Sequence, residues 1–261
     1  MADPLPWTSP PAPAVLGPGE VHVWLAGQPA EHTRHLRRDH LTTVLSADEQ
    51  VRANRFYFAK DRERYVDARA LLRVLVAGYL GTPPGEVQFA YGGHGKPALP
   101  KPEGGTRDLR FNVSHSGGVA LLAFAWGREL GIDIEGERPM ANWQAIAATC
   151  FSSRERAHLE RLSPAERDQA FFRYWTRKEA FIKATGEGLS GALDRFDMSL
   201  APGAPARVLD SGRMEEMTGW WLEDLHPLTG FAAAVVTEGP PTRITCWRYG
   251  DPPEVSRNPP R

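Results

Sequence analysis

The chain has 261 residues, with 31 basic and 32 acidic side chains, so its formal net charge is −1. A near-neutral charge argues against a general nucleic-acid-binding protein, which is usually basic overall. The hydrophobic fraction of 41% is typical of a globular protein. The longest apolar run, residues 119–126, is far shorter than the ~20 residues of a membrane-spanning helix. We therefore expect no nucleic-acid partner and no membrane partner.

Two further features indicate the compartment. The first 20 residues contain no apolar stretch of the kind found in secretory signals. Cys150 and Cys246 are the two cysteines of the chain and have no metal-binding spacing, which fits a reducing environment. We expect a soluble cytoplasmic protein.

The first half of the chain alternates between strand and helix patterns. Residues 1–19 are rich in Pro, Ala and Gly and are predicted to be unordered. Residues 21–26 alternate as a strand, and residues 47–80 follow a helical pattern that breaks near Lys60 and ends at Gly81. Strands are predicted over 87–91, 111–113 and 119–126, with a loop over 92–105 and a tight turn over 114–118.

The second half repeats this plan. Residues 130–135 resemble a strand, residues 141–185 are predicted to be helical with turns near Ser152 and Ser163, and residues 217–248 contain strands. The order of a strand, long helices and further strands occurs twice, which predicts an α+β fold of two similar subdomains, 20–127 and 128–250. A flexible tail is predicted over 251–261. A ligand shared by the two subdomains would lie in the cleft between them.

The segment Gly131–Glu135 contains two carboxylates with alternate spacing. On a strand, Asp133 and Glu135 project from the same face, ~6–7 Å apart. Mg²⁺ is commonly held by one or two carboxylates together with substrate phosphates. The alternative interpretation is an edge strand with one solvated face.

The helix predicted over residues 171–185 carries Glu179 and Lys183 four residues apart, on one face, with Lys178 beside them. Only five lysines occur in the chain, and two of them lie here. A lysine ammonium is a point charge suited to phosphate, and Glu179 could supply a metal ligand or accept a proton. The alternative is a simple surface ion pair.

Further candidates for anion binding lie in loops and in the first helices. Ser114 and His115 lie in a Gly-rich turn that exposes hydroxyl, imidazole and N–H groups to a phosphate. A Ser–His nucleophile pair is disfavoured because adjacent residues point apart and no GxSxG elbow is present; a polar turn that caps a hairpin is the remaining alternative. Lys96 lies in a stiff Gly-Lys-Pro turn. Arg52 and Arg69 belong to a basic run with seven basic and three acidic residues over 50–73, a pattern also typical of a solvated helix face.

The segments FNVSHSGG, LGIDIE and WTRKEAFIKATGEGL, in that order, resemble the signature of the Sfp-type 4′-phosphopantetheinyl transferases. The segments RFYF, ARALLR and GKP are similar to weaker motifs of the same family. The matching segments are spread over about residues 50–190.

The resemblance implies a monomer with two α+β subdomains in a pseudo-twofold arrangement and coenzyme A bound in the cleft between them. It implies transfer of the 4′-phosphopantetheine arm of coenzyme A to a serine of an apo acyl or peptidyl carrier protein, with release of adenosine 3′,5′-bisphosphate. Asp133, Glu135 and Glu179 would bind Mg²⁺, or Mn²⁺ in its place.

The resemblance also implies the remaining site residues. Lys178 and Lys183 would hold the pyrophosphate and, with Asp133 and Glu179, form the catalytic set. The other coenzyme A contacts would be Lys96, Ser114, His115, Arg52 and Arg69, the two arginines near the adenosine 3′-phosphate. Two positions depart from the pattern of some relatives: Glu49 stands where they have lysine, and Ala70 where they have a hydroxyl residue. Glu179 or a metal-bound water would take the proton of the attacking serine.

Two other functions fit part of the pattern. A Mg²⁺-dependent pyrophosphohydrolase of coenzyme A or nucleotides would form product without a carrier, and it would more naturally carry an acid-rich helix. A non-catalytic module that binds coenzyme A or carriers would not need the three carboxylates. The sequence does not distinguish carriers of fatty-acid, polyketide and nonribosomal peptide synthesis.

Overall fold

The computed structural model describes residues 5–10, 14–27, 43–91, 97–100, 108–186, 193–199, 208–210 and 219–250. The helices are α1 (Ala47–Ala53), α2 (Ala59–Leu80), α3 (Trp143–Cys150), α4 (Ser153–Glu160) and α5 (Pro164–Thr185). The strands of the first half are β1 (Trp7–Thr8), β2 (Glu20–Ala26), β3 (Ala90–Tyr91), β4 (Pro97–Ala98), β5 (Leu109–Ser116) and β6 (Val119–Trp126). Those of the second half are β7 (Leu130–Gly136), β8 (Phe196–Met198), β9 (Val208–Asp210), β10 (Trp220–Leu225), β11 (Phe231–Glu238) and β12 (Arg243–Arg248).

The first sheet has the strand order β1-β12-β2-β6-β5, which leaves β5 at one edge. β5 and β6 form a hairpin in which Ser116 pairs with Val119 across a two-residue turn. Gly117 and Gly118 form this turn with φ of 58° and 83°, a left-handed conformation that glycine adopts without strain and that suits tight hairpins. The turn therefore places Ser116 at the very end of an edge strand.

The second sheet has the order β10-β11-β7, with β7 at its edge. Helix α5 covers this sheet, and it contacts β7 closely at Gly131. A Cβ added at Gly131 would lie 2.0 Å from the Ala180 oxygen and 2.5 Å from the Ala184 nitrogen, both backbone atoms. Any other residue at position 131 would clash with the helix backbone. Gly131 therefore determines how closely α5 packs against β7, the acidic strand that carries Asp133 and Glu135.

The apolar core has three layers: one between the two sheets and one on the outer face of each sheet. Val21 and Val23 of β2 pack with Ile132 and Ile134 of β7 in the shared layer. On the outer side of the first sheet, apolar residues of α2 cover the other face of β2 and β6. On the outer side of the second sheet, α5 packs against alternate residues of β11. Both sheets are therefore buried on two faces, which accounts for their nearly continuous apolar sequences.

The structure confirms the α+β fold and most predicted elements. The helical stretch 47–80 divides at residues 54–58, and α5 ends at Gly186 in a left-handed C-cap. The strand expected over 87–91 is reduced to Ala90–Tyr91, and β8 and β9 were not predicted. No helix among the described residues is long and apolar enough to cross a membrane.

Two expectations about the chain ends need correction. Residues 1–19 were expected to be unordered, but Trp7–Thr8 form a strand that pairs in parallel with Cys246–Trp247. β12 belongs in sequence to the predicted second subdomain, 128–250, but lies in the first sheet, paired with β2. Hydrogen bonding and burial decide the position of such short strands, and neither is visible in a local pattern. The tail 251–261 lies outside the described residues.

Candidate active site

The edge strands β5 and β7 meet through side chains. Asn112, Ser114 and Ser116 are alternate residues of β5, and we call them the polar seam. They accept hydrogen bonds from backbone N–H groups of β7: Ile132 to Asn112 at 3.1 Å, Ile134 to Ser114 at 3.4 Å and Gly136 to Ser116 at 3.2 Å. The shared spacing of two residues keeps the polar seam in register along β7. The motifs FNVSHS and GIDIE are therefore one structural unit.

Asp133 is buried beside this seam. Its Oδ1 accepts hydrogen bonds from the Ser114 hydroxyl at 2.7 Å and from Lys183 Nζ at 2.6 Å. Its Oδ2 is buried and has no hydrogen-bond partner. Burial raises the pKa of Asp133, although the Lys183 charge and the Ser114 hydrogen bond oppose that shift.

Glu135, two residues further along the strand, is half-buried. Its Oε2 accepts a hydrogen bond from the Ser116 hydroxyl at 2.8 Å. The Arg138 Nη1 atom lies 3.7 Å from the same oxygen. Each carboxylate of the strand is thus held by one serine of the polar seam.

Helix α5 adds Glu179 and Lys183, which lie four residues apart and share a face. Besides Asp133, Lys183 Nζ donates to the Ser114 hydroxyl at 3.1 Å and to the Ile132 carbonyl at 3.3 Å. Glu179 Oε1 is buried and has no hydrogen-bond partner. Burial raises the pKa of Glu179, and the negative charge of Asp133 raises it further. The structure therefore places Glu179 close to the acidic strand.

These residues fit a hard divalent cation in their donor chemistry. Asp133 and Glu179 each present a buried carboxylate oxygen that lacks a partner, and carboxylate oxygens are the ligands that Mg²⁺ prefers. Among the described residues, no three acidic, histidine or cysteine side chains lie close enough together to hold a metal ion. Lys183, whose ammonium contacts Asp133 Oδ1, supplies the counter-charge in this arrangement.

Lys178 is not brought together with these carboxylates. Its side chain is 1% exposed, and Nζ lies 2.8 Å from Glu155 Oε2. The same ammonium donates to the Leu193 and Phe196 carbonyl oxygens at 2.5 and 2.7 Å. Burial lowers the pKa of Lys178, and the Glu155 carboxylate opposes that shift. Sequence reasoning missed Glu155; its only local signal was the S-x-x-E spacing from Ser152, which the structure uses as a capping box.

Comparison with known proteins identifies the family of the chain. The family model described as "4′-phosphopantetheinyl transferase superfamily" matches residues 129–236, and the model "4′-phosphopantetheinyl transferase, N-terminal" matches residues 33–126. The 4′-phosphopantetheinyl transferase HetI of Nostoc sp. is 38% identical over 247 residues, which is 93% of this chain and 98% of HetI. The chain belongs to the 4′-phosphopantetheinyl transferase superfamily.

Other relatives are similar to this chain over shorter segments. The 4′-phosphopantetheinyl transferase Sfp of Bacillus subtilis is 32% identical over 158 residues, 60% of this chain and 67% of Sfp. The solved holo-[acyl-carrier-protein] synthase of Thermotoga maritima has a TM-score of 0.34 and 20% identity, over 42% of this chain and 62% of that chain.

The two arginines expected at the adenosine 3′-phosphate differ in environment. Arg69 is buried, with Nε 3.3 Å from Glu49 Oε1 and Nη2 donating to the Tyr91 hydroxyl at 2.5 Å. Glu49 also accepts a hydrogen bond from Arg73 Nε at 2.6 Å. The acidic residue that departs from the family pattern is therefore the counter-ion of two buried arginines, and it reduces the charge that Arg69 offers to an anion.

Arg52, in contrast, is exposed on α1. Its guanidinium carbon lies 5.6 Å from the centre of the Tyr65 ring. Arg52 and Arg55 line an open cavity of about 810 Å³ together with Phe56. This cavity lies along α1 and not at the carboxylates, and Asp48 also lines it, so its two arginines lie beside one acidic side chain.

His115, a further predicted contact, is not brought together with the carboxylates. His115 is exposed, and as the residue between Ser114 and Ser116 on β5 it points away from the polar seam. Lys96 lies outside the described residues. Of the predicted site residues, the structure brings together Asp133, Glu135, Glu179, Lys183 and Ser114.

Proposed function

We propose that the chain transfers the 4′-phosphopantetheine arm of coenzyme A to a serine hydroxyl of an apo acyl or peptidyl carrier protein and releases adenosine 3′,5′-bisphosphate. The observation that carries this proposal is the convergence of β7 and α5, which sets the buried carboxylate of Asp133 against the ammonium of Lys183, with the half-buried Glu179 close to both. These residues belong to the motifs that resemble the family signature. Phosphoryl-type transfer depends mainly on positioning and on neutralising charge, which such a site supplies.

Asp133, Glu135 and Glu179 are the residues that would hold Mg²⁺ or Mn²⁺. In the structure their side chains are too far apart to do so together, so they would have to approach one another when the cation binds. The unpartnered oxygens of Asp133 and Glu179 support this assignment. When bound, the cation neutralises negative charge on the pyrophosphate and helps to orient it.

Among the described residues, Lys183 is the cation best placed to contact the pyrophosphate. Its side chain is 26% exposed, and its ammonium donates to Asp133, the Ser114 hydroxyl and the Ile132 carbonyl, so a pyrophosphate oxygen would replace one of these acceptors. Lys178, which was also expected there, bonds three buried acceptors, and we assign it a structural role. Ser114 donates its proton to Asp133 and therefore acts here on the carboxylate.

Glu179 is the candidate base. Its Oε1 is buried and has no hydrogen-bond partner, so this oxygen is available to accept a proton. The oxygen of the carrier serine forms a bond to the β-phosphorus of coenzyme A, and its proton passes to Glu179. The bond from that phosphorus to the bridging oxygen breaks, and the bridging oxygen leaves on adenosine 3′,5′-bisphosphate.

The cytoplasm is the compartment we propose for this reaction. Cys150 is half-buried and Cys246 is buried, and both are free thiols, which suits a reducing environment. We expect the chain to act as a monomer, as the family resemblance implies.

The test is to incubate the protein with coenzyme A, Mg²⁺ and a panel of apo carriers from fatty-acid, polyketide and nonribosomal peptide synthesis, and to weigh the carriers by mass spectrometry. We expect at least one carrier to gain the phosphopantetheine mass and a chelator to prevent the gain. Glu179→Gln should lower the rate by about 100-fold or more. Glu160→Gln is the matched control, because Glu160 is exposed on α4.

Three results would contradict the proposal or a part of it. If no carrier gained mass, the chain would lack the proposed activity. If coenzyme A were cleaved equally fast without any carrier, the pyrophosphohydrolase alternative would be correct. A near-normal rate for Glu179→Gln at saturating Mg²⁺ would remove both roles assigned to Glu179.

A further inference from the structure

Ser116 repeats, at the open end of the site, the bonding that Ser114 makes in its interior. The Gly136 N–H donates to the Ser116 hydroxyl oxygen at 3.2 Å, and the hydroxyl donates to Glu135 Oε2 at 2.8 Å. Ser114 stands in the same relation to the Ile134 N–H and Asp133. The two serines thus link the backbone of β7 to the two carboxylates that the same strand carries.

This arrangement determines where the hydroxyl proton of Ser116 points. A hydroxyl has one proton and two lone pairs. The oxygen of Ser116 accepts from the Gly136 N–H with one lone pair, and its proton is directed to Glu135 Oε2. A glutamate side chain has three rotatable bonds and loses substantial entropy when it is ordered, so a fixed donor at 2.8 Å selects one conformation in advance.

We infer that Ser116 is a positioning residue that holds Glu135 in the conformation from which it binds a divalent cation. The inference rests on the proposed function, in which Glu135 is a metal ligand. Hydrogen bonds to a ligating carboxylate orient it and raise metal affinity. Without the hydroxyl, the neighbour of Glu135 Oε2 would be Arg138, whose Nη1 is 3.7 Å away on a side chain that is 59% exposed. Arg138 Nη1 also donates to the Gly136 carbonyl at 3.0 Å, so at 3.7 Å it holds the carboxylate less closely than the Ser116 hydroxyl does at 2.8 Å.

The position of Ser116 explains why its hydroxyl is well suited to this role. It is the last residue of β5, and the Gly117–Gly118 turn that follows joins β5 to β6. β6 is hydrogen-bonded on both edges within the first sheet. The donor, Ser116, is therefore attached to a paired strand of the first sheet. The carboxylate that it orients, Glu135, belongs to the second sheet.

The test measures cation binding directly, by titrating the full-length protein with Mn²⁺ and following free Mn²⁺ by electron paramagnetic resonance, with and without coenzyme A. Ser116→Ala should weaken Mn²⁺ binding by about 10-fold. Ser116→Thr keeps the hydroxyl and should bind nearly as the unaltered protein does. The matched control is Ser163→Ala, because Ser163 also donates to a glutamate, Glu166 Oε2 at 2.6 Å, at the N-terminus of α5.

A double-variant comparison separates positioning from a general structural effect. If Ser116 acts through Glu135, adding Ser116→Ala to Glu135→Gln should cause no further loss of Mn²⁺ affinity. An equal loss in both backgrounds would overturn the inference. Unchanged Mn²⁺ binding by the Ser116→Ala variant would also overturn the inference, provided that the unaltered protein binds Mn²⁺.

Failure of the proposed function gives a different result. A parent protein that binds no Mn²⁺, with or without coenzyme A, would overturn the metal assignment itself and this inference with it. Circular dichroism checks that each variant is folded. Should Ser116→Ala not fold, Ser116→Cys removes the strong donor while keeping the side-chain volume nearly constant, and the same outcomes decide.

Discussion

Replacing Gly131 by alanine is the most direct test of how the site is assembled. Gly131 precedes the acidic strand positions, and α5 crosses it at close range. The added Cβ would lie 2.0 Å from the Ala180 carbonyl oxygen, 2.5 Å from the Ala184 nitrogen and 2.9 Å from Lys183 Cβ. Two of these atoms belong to the helix backbone, so rotation of a side chain cannot relieve the clash.

The size of the effect follows from these distances. Ordinary contact begins at about 3.4 Å, so the helix would have to withdraw by about 1.4 Å at Ala180. Overpacking of this kind costs about 3 kcal/mol of unfolding free energy, at the upper end of the usual range. Because Glu179 and Lys183 lie on the displaced segment, the same shift separates them from Asp133. A misplacement of about 1 Å at a catalytic site can cost about 100-fold in rate.

The assay is urea unfolding together with the initial rate of holo-carrier formation. Gly78→Ala is the matched control, since Gly78 lies within α2, is exposed and has nothing within 4 Å of an added Cβ. That variant should gain about 0.5–1 kcal/mol from helix propensity and keep its activity. If Gly131→Ala were as stable and as active as the parent, close packing of α5 on β7 would not be what assembles the site.

Three further predictions concern buried and charged groups. Lys178→Met should lower the unfolding free energy by about 3–5 kcal/mol in urea titrations, because it leaves Glu155 buried without its counter-ion; a loss below about 1 kcal/mol would show that the pair is not needed. Lys183→Arg should slow holo-carrier formation by about 10-fold or more at saturating Mg²⁺, since a planar guanidinium cannot replace the compact ammonium beside Asp133, and an unchanged rate would contradict this. Burial lowers the pKa of His22 from 6.5 to about 4, so the unfolded chain takes up a proton over this interval while the folded chain does not. The free energy of unfolding should therefore fall by about 3 kcal/mol as the pH drops from 6.5 to 4. His22→Gln should lack this contribution, and urea unfolding at a series of pH values would measure the difference.

The acidic strand illustrates what local sequence predicts well. Alternation in Gly131–Glu135 correctly indicated that Asp133 and Glu135 share a face, and helical spacing indicated the same for Glu179 and Lys183. Both are properties of a single regular element and follow from its period. The meeting of the two elements was expected only from the family resemblance, because no local pattern states which helix packs on which strand.

The lysines and arginines illustrate the opposite case. Lys178 and Lys183 looked equivalent in the sequence, yet one is buried against Glu155 and the other contacts Asp133. Their positions differ by five residues, which places them on different faces of α5. Arg69 was expected to bind phosphate, but it is paired with Glu49, a partner 20 positions away. Long-range partners of this kind depend on packing between elements and leave no local signature.

By itself, the sequence determined the α+β class, the helical and strand periods, the family motifs and the residue types able to bind a cation and a phosphate. The tertiary structure decided which of those residues meet. It placed β12 in the first sheet, buried Lys178, and joined β5 to β7 through the polar seam. The physical reason is that periodicity arises from neighbours in the chain, whereas burial, ion pairing and hydrogen bonding between sheet edges arise from contacts between residues distant in sequence.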